Sequence, residues 1–102
     1  MGGIVAQRLE ENGFVKFANG FVLQWGLTWF DSASTFKDVV MPISCNVLVA
    51  LVSDDVANIV TQGDEFYVCW NSGFSTNNRT KLRFLTNRGN TGSFTWICVG
   101  KA

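Results

Sequence analysis

Histidine is absent from this 102-residue chain, and proline and tyrosine occur once each. A serine or cysteine nucleophile needs a base to activate it, and with no histidine the usual partner is missing. Zinc sites lose their commonest nitrogen ligand for the same reason. Charge is also sparse, at 16% of residues against roughly 25% in an ordinary soluble domain. The eight basic and eight acidic side chains cancel and are scattered singly. No basic stripe is present to track a phosphate backbone, which argues against nucleic-acid binding. A small domain with little charge and no net charge is prone to associate with itself.

Long apolar runs are missing too. The longest spans 47–52, far short of the roughly 20 residues of a membrane helix. Met1-Gly2-Gly3 leads into mixed residues, not into a charged-then-apolar leader. Cys45, Cys69 and Cys98 are an odd number at wide spacing, each inside an apolar stretch. That pattern suits neither a disulfide framework nor a metal cluster. It predicts three buried free thiols and folding in a reducing cytoplasm. Adjacent carboxylates at Asp54-Asp55 and Asp64-Glu65 are expected to be solvated turn residues, because neighbours on an extended chain point to opposite faces. No catalytic residue, metal or cofactor is therefore expected.

What the chain does have is apolar and aromatic residues, 47% and 14% of the total. They are gathered into short runs rich in Val, Phe, Trp, Ile and Thr, residues that suit a pleated, half-buried surface. Turn signals separate the runs: Asn12-Gly13, Asn19-Gly20, Gly63-Asp64, Asn71-Ser72-Gly73, Asn77-Asn78, Asn87-Arg88-Gly89-Asn90 and Thr91-Gly92. Strands are predicted over 13–17, 21–25, 35–40, 45–53, 65–71, 81–86 and 93–99. Residues 4–11 and 54–61 read as possible helical turns. The fold expected is a small all-β, antiparallel β-sandwich of about seven strands over 13–102, with 1–12 as a lead-in.

Phe17-Ala18-Asn19-Gly20-Phe21 places Asn-Gly between apolar strands, where a tight hairpin needs positive φ. Phe21, Leu23 and Trp25 should share one strand face, with Gly26 ending or bulging the strand. Two strands are apolar on both faces. Cys45, Val47, Val49 and Leu51 alternate with Leu48, Ala50 and Val52, and Phe94-Thr95-Trp96-Ile97-Cys98-Val99 behaves alike. A strand buried on both sides needs two covers. With no helix long enough to supply the second, another copy of the chain is the expected cover.

Asn12-Gly13-Phe14-Val15-Lys16-Phe17-Ala18-Asn19-Gly20-Phe21-Val22-Leu23-Gln24-Trp25-Gly26 resembles the opening of the C-terminal domain of phage and prophage tail-fibre proteins. Gly92-Ser93-Phe94-Thr95-Trp96-Ile97-Cys98-Val99-Gly100 is similar to that domain's last strand. Thr35-Phe36-Lys37-Asp38-Val39-Val40-Met41-Pro42-Ile43 is a looser match, with Met41 before the proline where that family has Phe. Modules of this type also tip the trimeric adhesive fibres of predatory bacteria. The resemblance covers 12–100 and is specific at its two ends. It implies a β-sandwich protomer in a homotrimer at a fibre tip on a virion or outside the cell. It implies a non-enzymatic role in binding a bacterial surface glycan or outer-membrane protein, or, as the alternative, in capping the fibre. Trp25 and Trp96 would be core or interface anchors and Gln24 an internal polar group.

The candidate ligand-binding residues lie in loops. Asn77, Asn78, Arg79 and Arg88 belong to segments rich in amide and guanidinium groups, which form the hydrogen-bond forks that sugars accept. Phe74, Trp29 and Phe30 lie in or beside loops, where an aromatic ring can stack on a sugar.

Overall fold

The computed structural model describes residues 3–30, 35–54, 68–86 and 93–102. Among the described residues, eight strands run in the order β1 (Ile4–Arg8), β2 (Gly13–Phe17), β3 (Phe21–Trp29), β4 (Phe36–Val40), β5 (Asn46–Asp54), β6 (Val68–Trp70), β7 (Lys81–Thr86) and β8 (Ser93–Lys101), with one helical turn, α1 (Ser72–Ser75), before β7. They form two antiparallel sheets, a five-stranded one in the order β1-β2-β3-β8-β5 and a three-stranded one in the order β4-β7-β6. The all-β expectation holds, with one strand more than the sequence suggested. Residues 4–8 are that extra strand and not a helical turn. Their all-exposed side chains leave a helix nothing to pack against, whereas pairing with β2 satisfies the backbone. The helical reading of 54–61 falls mostly outside the described residues, and Asp54 itself closes β5.

The Asn19-Gly20 hairpin forms as its residues dictate. Gly20 takes φ +93°, its N–H donates to the Phe17 carbonyl at 2.9 Å, and Asn19 Oδ1 accepts from the Phe21 N–H at 3.0 Å. The Phe17 and Phe21 rings meet across the turn, with centroids 5.6 Å apart. β3 does not end at Gly26 but runs on to Trp29. The glycine is needed for space, since a Cβ there would lie 2.6 Å from Trp96 Nε1 and would collide with Asn12 Oδ1.

The core lies between the sheets. Val22, Gln24, Ala50, Phe94, Trp96 and Cys98 project from the large sheet, and Leu82 and Phe84 from the small one, all of them buried. An aromatic chain joins the layers, with Phe30 on Phe94 at 4.7 Å, Phe84 on Phe94 at 5.2 Å and Phe84 beside Trp96 at 6.4 Å. In β5 the strict alternation expected from the sequence fails at Leu48. The register to β8 shifts between Val47 and Val49, so Leu48 is an extra residue in a bulge. Val47 faces inward, and beyond the bulge Ala50 and Val52 do, while Val49 and Leu51 turn outward, 42% and 63% exposed.

Gln24 is buried beneath the 41–45 link between β4 and β5. Its Nε2 donates to the Ile43 carbonyl at 3.0 Å, and its Oε1 accepts from the Ile43 N–H at 3.1 Å. The same Nε2 lies 3.3 Å from both Met41 Sδ and Cys45 Sγ. Replacing Gln24 with leucine leaves both Ile43 backbone groups without their partners. It should lower stability by about 2–4 kcal/mol, read as a shift in the denaturant midpoint at fixed protein concentration. A midpoint equal to wild type would contradict this role.

Candidate functional site

The 71–80 segment forms a compact structure at the edge of the small sheet. Asn71 caps α1, its Oδ1 accepting from the Phe74 N–H at 3.3 Å. Asn78 Oδ1 accepts from the Thr80 N–H at 3.1 Å, the Thr80 hydroxyl at 3.3 Å and the Lys81 N–H at 2.8 Å. The end of the segment is tied to the 41–45 link, with the Met41 N–H on the Thr80 carbonyl at 2.8 Å and the Cys45 N–H on the Arg79 carbonyl at 2.9 Å.

Beside it, the outer face of the small sheet carries an aromatic and charged cluster. Asp38 and Arg83 are cross-strand partners. Arg83 donates to Asp38 through Nε at 2.6 Å and Nη2 at 2.9 Å, the bidentate geometry that suits a guanidinium best. The guanidinium carbon lies 4.6 Å from the Phe36 ring centroid and 4.3 Å from that of Phe74, so two rings clasp it. Phe36 stays 48% exposed, and the exposed Lys81 is near enough to act on the Asp38 carboxylate. Lys81 and Arg83 outnumber Asp38, so the surface is cationic with aromatic walls. It can stack on a sugar ring and hold an anionic substituent.

The structure gathers Phe74, Asn77, Asn78 and Arg79 on this segment. Asn77 and Arg79 are exposed, whereas the Asn78 acceptor is taken up by the turn. Phe30 is a correction. It is 3% exposed and stacked on Phe94, so its ring belongs to the core and offers no face to a ligand. Trp29, the next residue, is 60% exposed at the end of β3. Arg88 lies outside the described residues. The sequence reading missed Phe36, Asp38 and Arg83. A sequence separation of 45 hides the pairing of Asp38 with Arg83, and only the strand register brings them together.

The thiols divide. Cys45 and Cys98 are fully buried as expected, but Cys69 is exposed because it shares the outer face of the small sheet with its β7 partner Leu85. Cys98 is pushed up by its hydrogen bond to Cys45 and by burial. Cys45 is lowered, first by that same bond and then by the Gln24 amide. Native protein should therefore give one fast-reacting thiol with an aromatic disulfide reagent and three after denaturation, with Cys69→Ser removing the fast one. A fast phase surviving in that variant would overturn the assignment. The Arg83 hydrogen bond holds the Asp38 carboxyl below its usual range. The pair's contribution is thus complete above the unfolded carboxylate value of about 3.9 and is lost as pH falls through the lowered folded value. Asp38→Asn should lower stability at neutral pH and reduce the difference from wild type on acidification.

No protein-family model matches the chain, and no curated protein matches it. Solved structures do. An N-truncated R2-type pyocin tail fibre superposes with a TM-score of 0.77 at 15% identity over 99% of this chain. The C-terminal part of the P. aeruginosa R2 pyocin fibre superposes with a TM-score of 0.74 at 14% identity over 94%. The chain spans 39% and 25% of those two chains. The two antiparallel sheets described above are thus a fold found in pyocin tail fibres.

Proposed function

We propose that this chain is a non-enzymatic receptor-binding module of a tail-fibre-type particle, working as a homotrimer at the fibre end. The observation that carries the reading is the superposition on pyocin tail fibres over nearly the whole chain. Its receptor is a bacterial surface glycan or an outer-membrane protein. The cationic surface of Lys81 and Arg83, walled by Phe36 and Phe74, together with Asn77, Arg79 and Arg88, makes the contact. The producing cytoplasm folds the chain with its thiols free, and the assembled particle carries it outside the cell.

The outer face of the large sheet supports the trimer. Cross-strand register aligns Val15, Leu23, Val99 and Val49 in one row and Trp25, Ile97 and Leu51 in the next. Ile97, 37% exposed, lies between Trp25 and the 63% exposed Leu51 of the edge strand β5. Each such side chain removed from water contributes about 1.5–3 kcal/mol, so a protomer alone would leave a large gain unrealised. Two symmetry mates cover this face around the fibre axis.

Two measurements test the reading. Light scattering should give three times the protomer mass, and Leu51→Asp or Ile97→Asp should dissociate the assembly; a stable wild-type monomer at micromolar concentration would refute the trimer. Attachment to susceptible cells should fall roughly tenfold or more in the combined Asn77→Ala, Arg79→Ala, Arg88→Ala variant with mass and melting temperature unchanged. Unchanged attachment would remove these residues from the contact. Absence of attachment by the wild-type trimer to any susceptible cell would leave the module as a structural cap.

A further inference from the structure

The helical turn α1 has a second side, facing away from the cationic cluster. Between α1 and the start of β5 lies a groove of about 410 Å³, within the size range of small-ligand sites. Its walls are Asn46, Leu48, Trp70, Ser72, Ser75 and Thr76 among others, and none of its lining residues is ionisable. The Trp70 indole N–H donates to Ser75 Oγ at 3.1 Å, which fixes the indole plane. Trp70 is only half-buried, so part of its surface remains open. Asn46, Ser72 and Thr76 are exposed and make no side-chain hydrogen bond among the described residues. The groove therefore combines a fixed aromatic wall, a free amide and two free hydroxyls, without charge.

We propose that this groove is a second ligand site and that it takes a neutral pyranose of the bacterial surface. A pyranose has one apolar face, which suits the indole, and an equator of hydroxyls, which suits an amide and hydroxyl rim. An anionic sugar would meet no cation among the lining residues and belongs on the Lys81 and Arg83 side of the turn. An extended peptide pairing with β5 is disfavoured, because the bulge at Leu48 interrupts the strand where the groove lies. One turn of chain thus separates an uncharged subsite from a charged one, a layout suited to a glycan whose residues differ in charge. The inference rests on the receptor-binding reading and adds a place and a ligand class to it.

The test titrates the full chain with methyl β-D-glucopyranoside and methyl β-D-galactopyranoside, against glucose 6-phosphate and methyl β-D-glucuronide, following backbone amide shifts. At least one neutral glycoside should shift the amides of 46–48 and 70–76 with millimolar affinity. Thr76→Trp, which fills the groove, should weaken this by roughly tenfold or more, while Glu11→Ala, in the exposed turn between β1 and β2, leaves it unchanged. Wild-type shift mapping needs no variant, so the proposal stays testable if Thr76→Trp fails to fold. Tighter binding of the anionic sugars in the groove, or neutral-sugar shifts only elsewhere, would overturn it. So would a short extended peptide shifting these amides where no sugar does. Attachment to susceptible cells is measured in parallel: attachment without any neutral-sugar binding removes the groove alone, and loss of both removes the receptor reading as well.

Discussion

A buried carboxamide holds two parts of this fold in register. The 41–45 link passes from β4 of the small sheet to β5 of the large one without strand partners of its own, and a buried backbone N–H or carbonyl left unpaired is costly. Gln24 supplies both missing groups at once, accepting from the Ile43 N–H and donating to its carbonyl as a neighbouring strand would. No other side chain except asparagine presents that donor and acceptor pair, and asparagine is one methylene shorter. With Ile43 fixed, Met41 and Cys45 are fixed on either side, and their N–H groups hold the Thr80 and Arg79 carbonyls. The placement of the surface segment therefore derives from a strand in the middle of the opposite sheet. The soft sulfurs of Met41 and Cys45 complete the polar pocket without adding charge.

The two faces of the large sheet differ in what they carry, and this accounts for the composition. Inward, large aromatics meet small residues: Gly26 lies against Trp96, and Gly100 leaves room for the Cys45 sulfur that a Cβ would strike. Outward, Leu23, Trp25, Ile97, Val99, Val49 and Leu51 form rows where a sheet face open to water usually carries lysine or glutamate. Charge is scarce in the sequence because the face where a sheet of this size would carry it is apolar. At the opposite edge, β1 is exposed throughout and carries Arg8. The apolar rows thus fade toward that edge and are concentrated on β3, β8 and β5.

What was legible in the sequence was local or periodic. The Asn19-Gly20 turn, most strand positions and the two-sided apolar strands follow from residue types and spacing. β1 was not legible, because Ile4-Val5-Ala6-Gln7-Arg8 fits a helical turn as well as a strand, and only the presence of β2 decides. Gly26 was misread for a related reason. A glycine in a strand can mark an end, a bulge or a close approach, and the approaching Trp96 lies 70 positions away. Leu48 shows the same limit, since a bulge reverses the parity of every residue after it while the apolar count is unchanged. The candidate site was legible only as a segment. Its composition pointed to 71–80, but the Asp38–Arg83 pairing depends on a register that no local pattern carries.

Amide-rich loops invite a binding interpretation, yet the amides here divide by what the backbone requires of them. Asn71 and Asn78 spend their acceptor oxygens on the N–H groups of α1 and of the turn into β7, and so build the surface more than they offer it. Asn77 and Asn46 have no such duty among the described residues. The same division separates the aromatics: Phe30 is spent on Phe94 in the core, Phe74 clasps Arg83, and Phe36 keeps an open face. The polar and aromatic side chains left open among the described residues are therefore those that the fold can spare. In a chain this short they are few, and they lie on both sides of one helical turn that the core holds in place through the 41–45 link and Gln24.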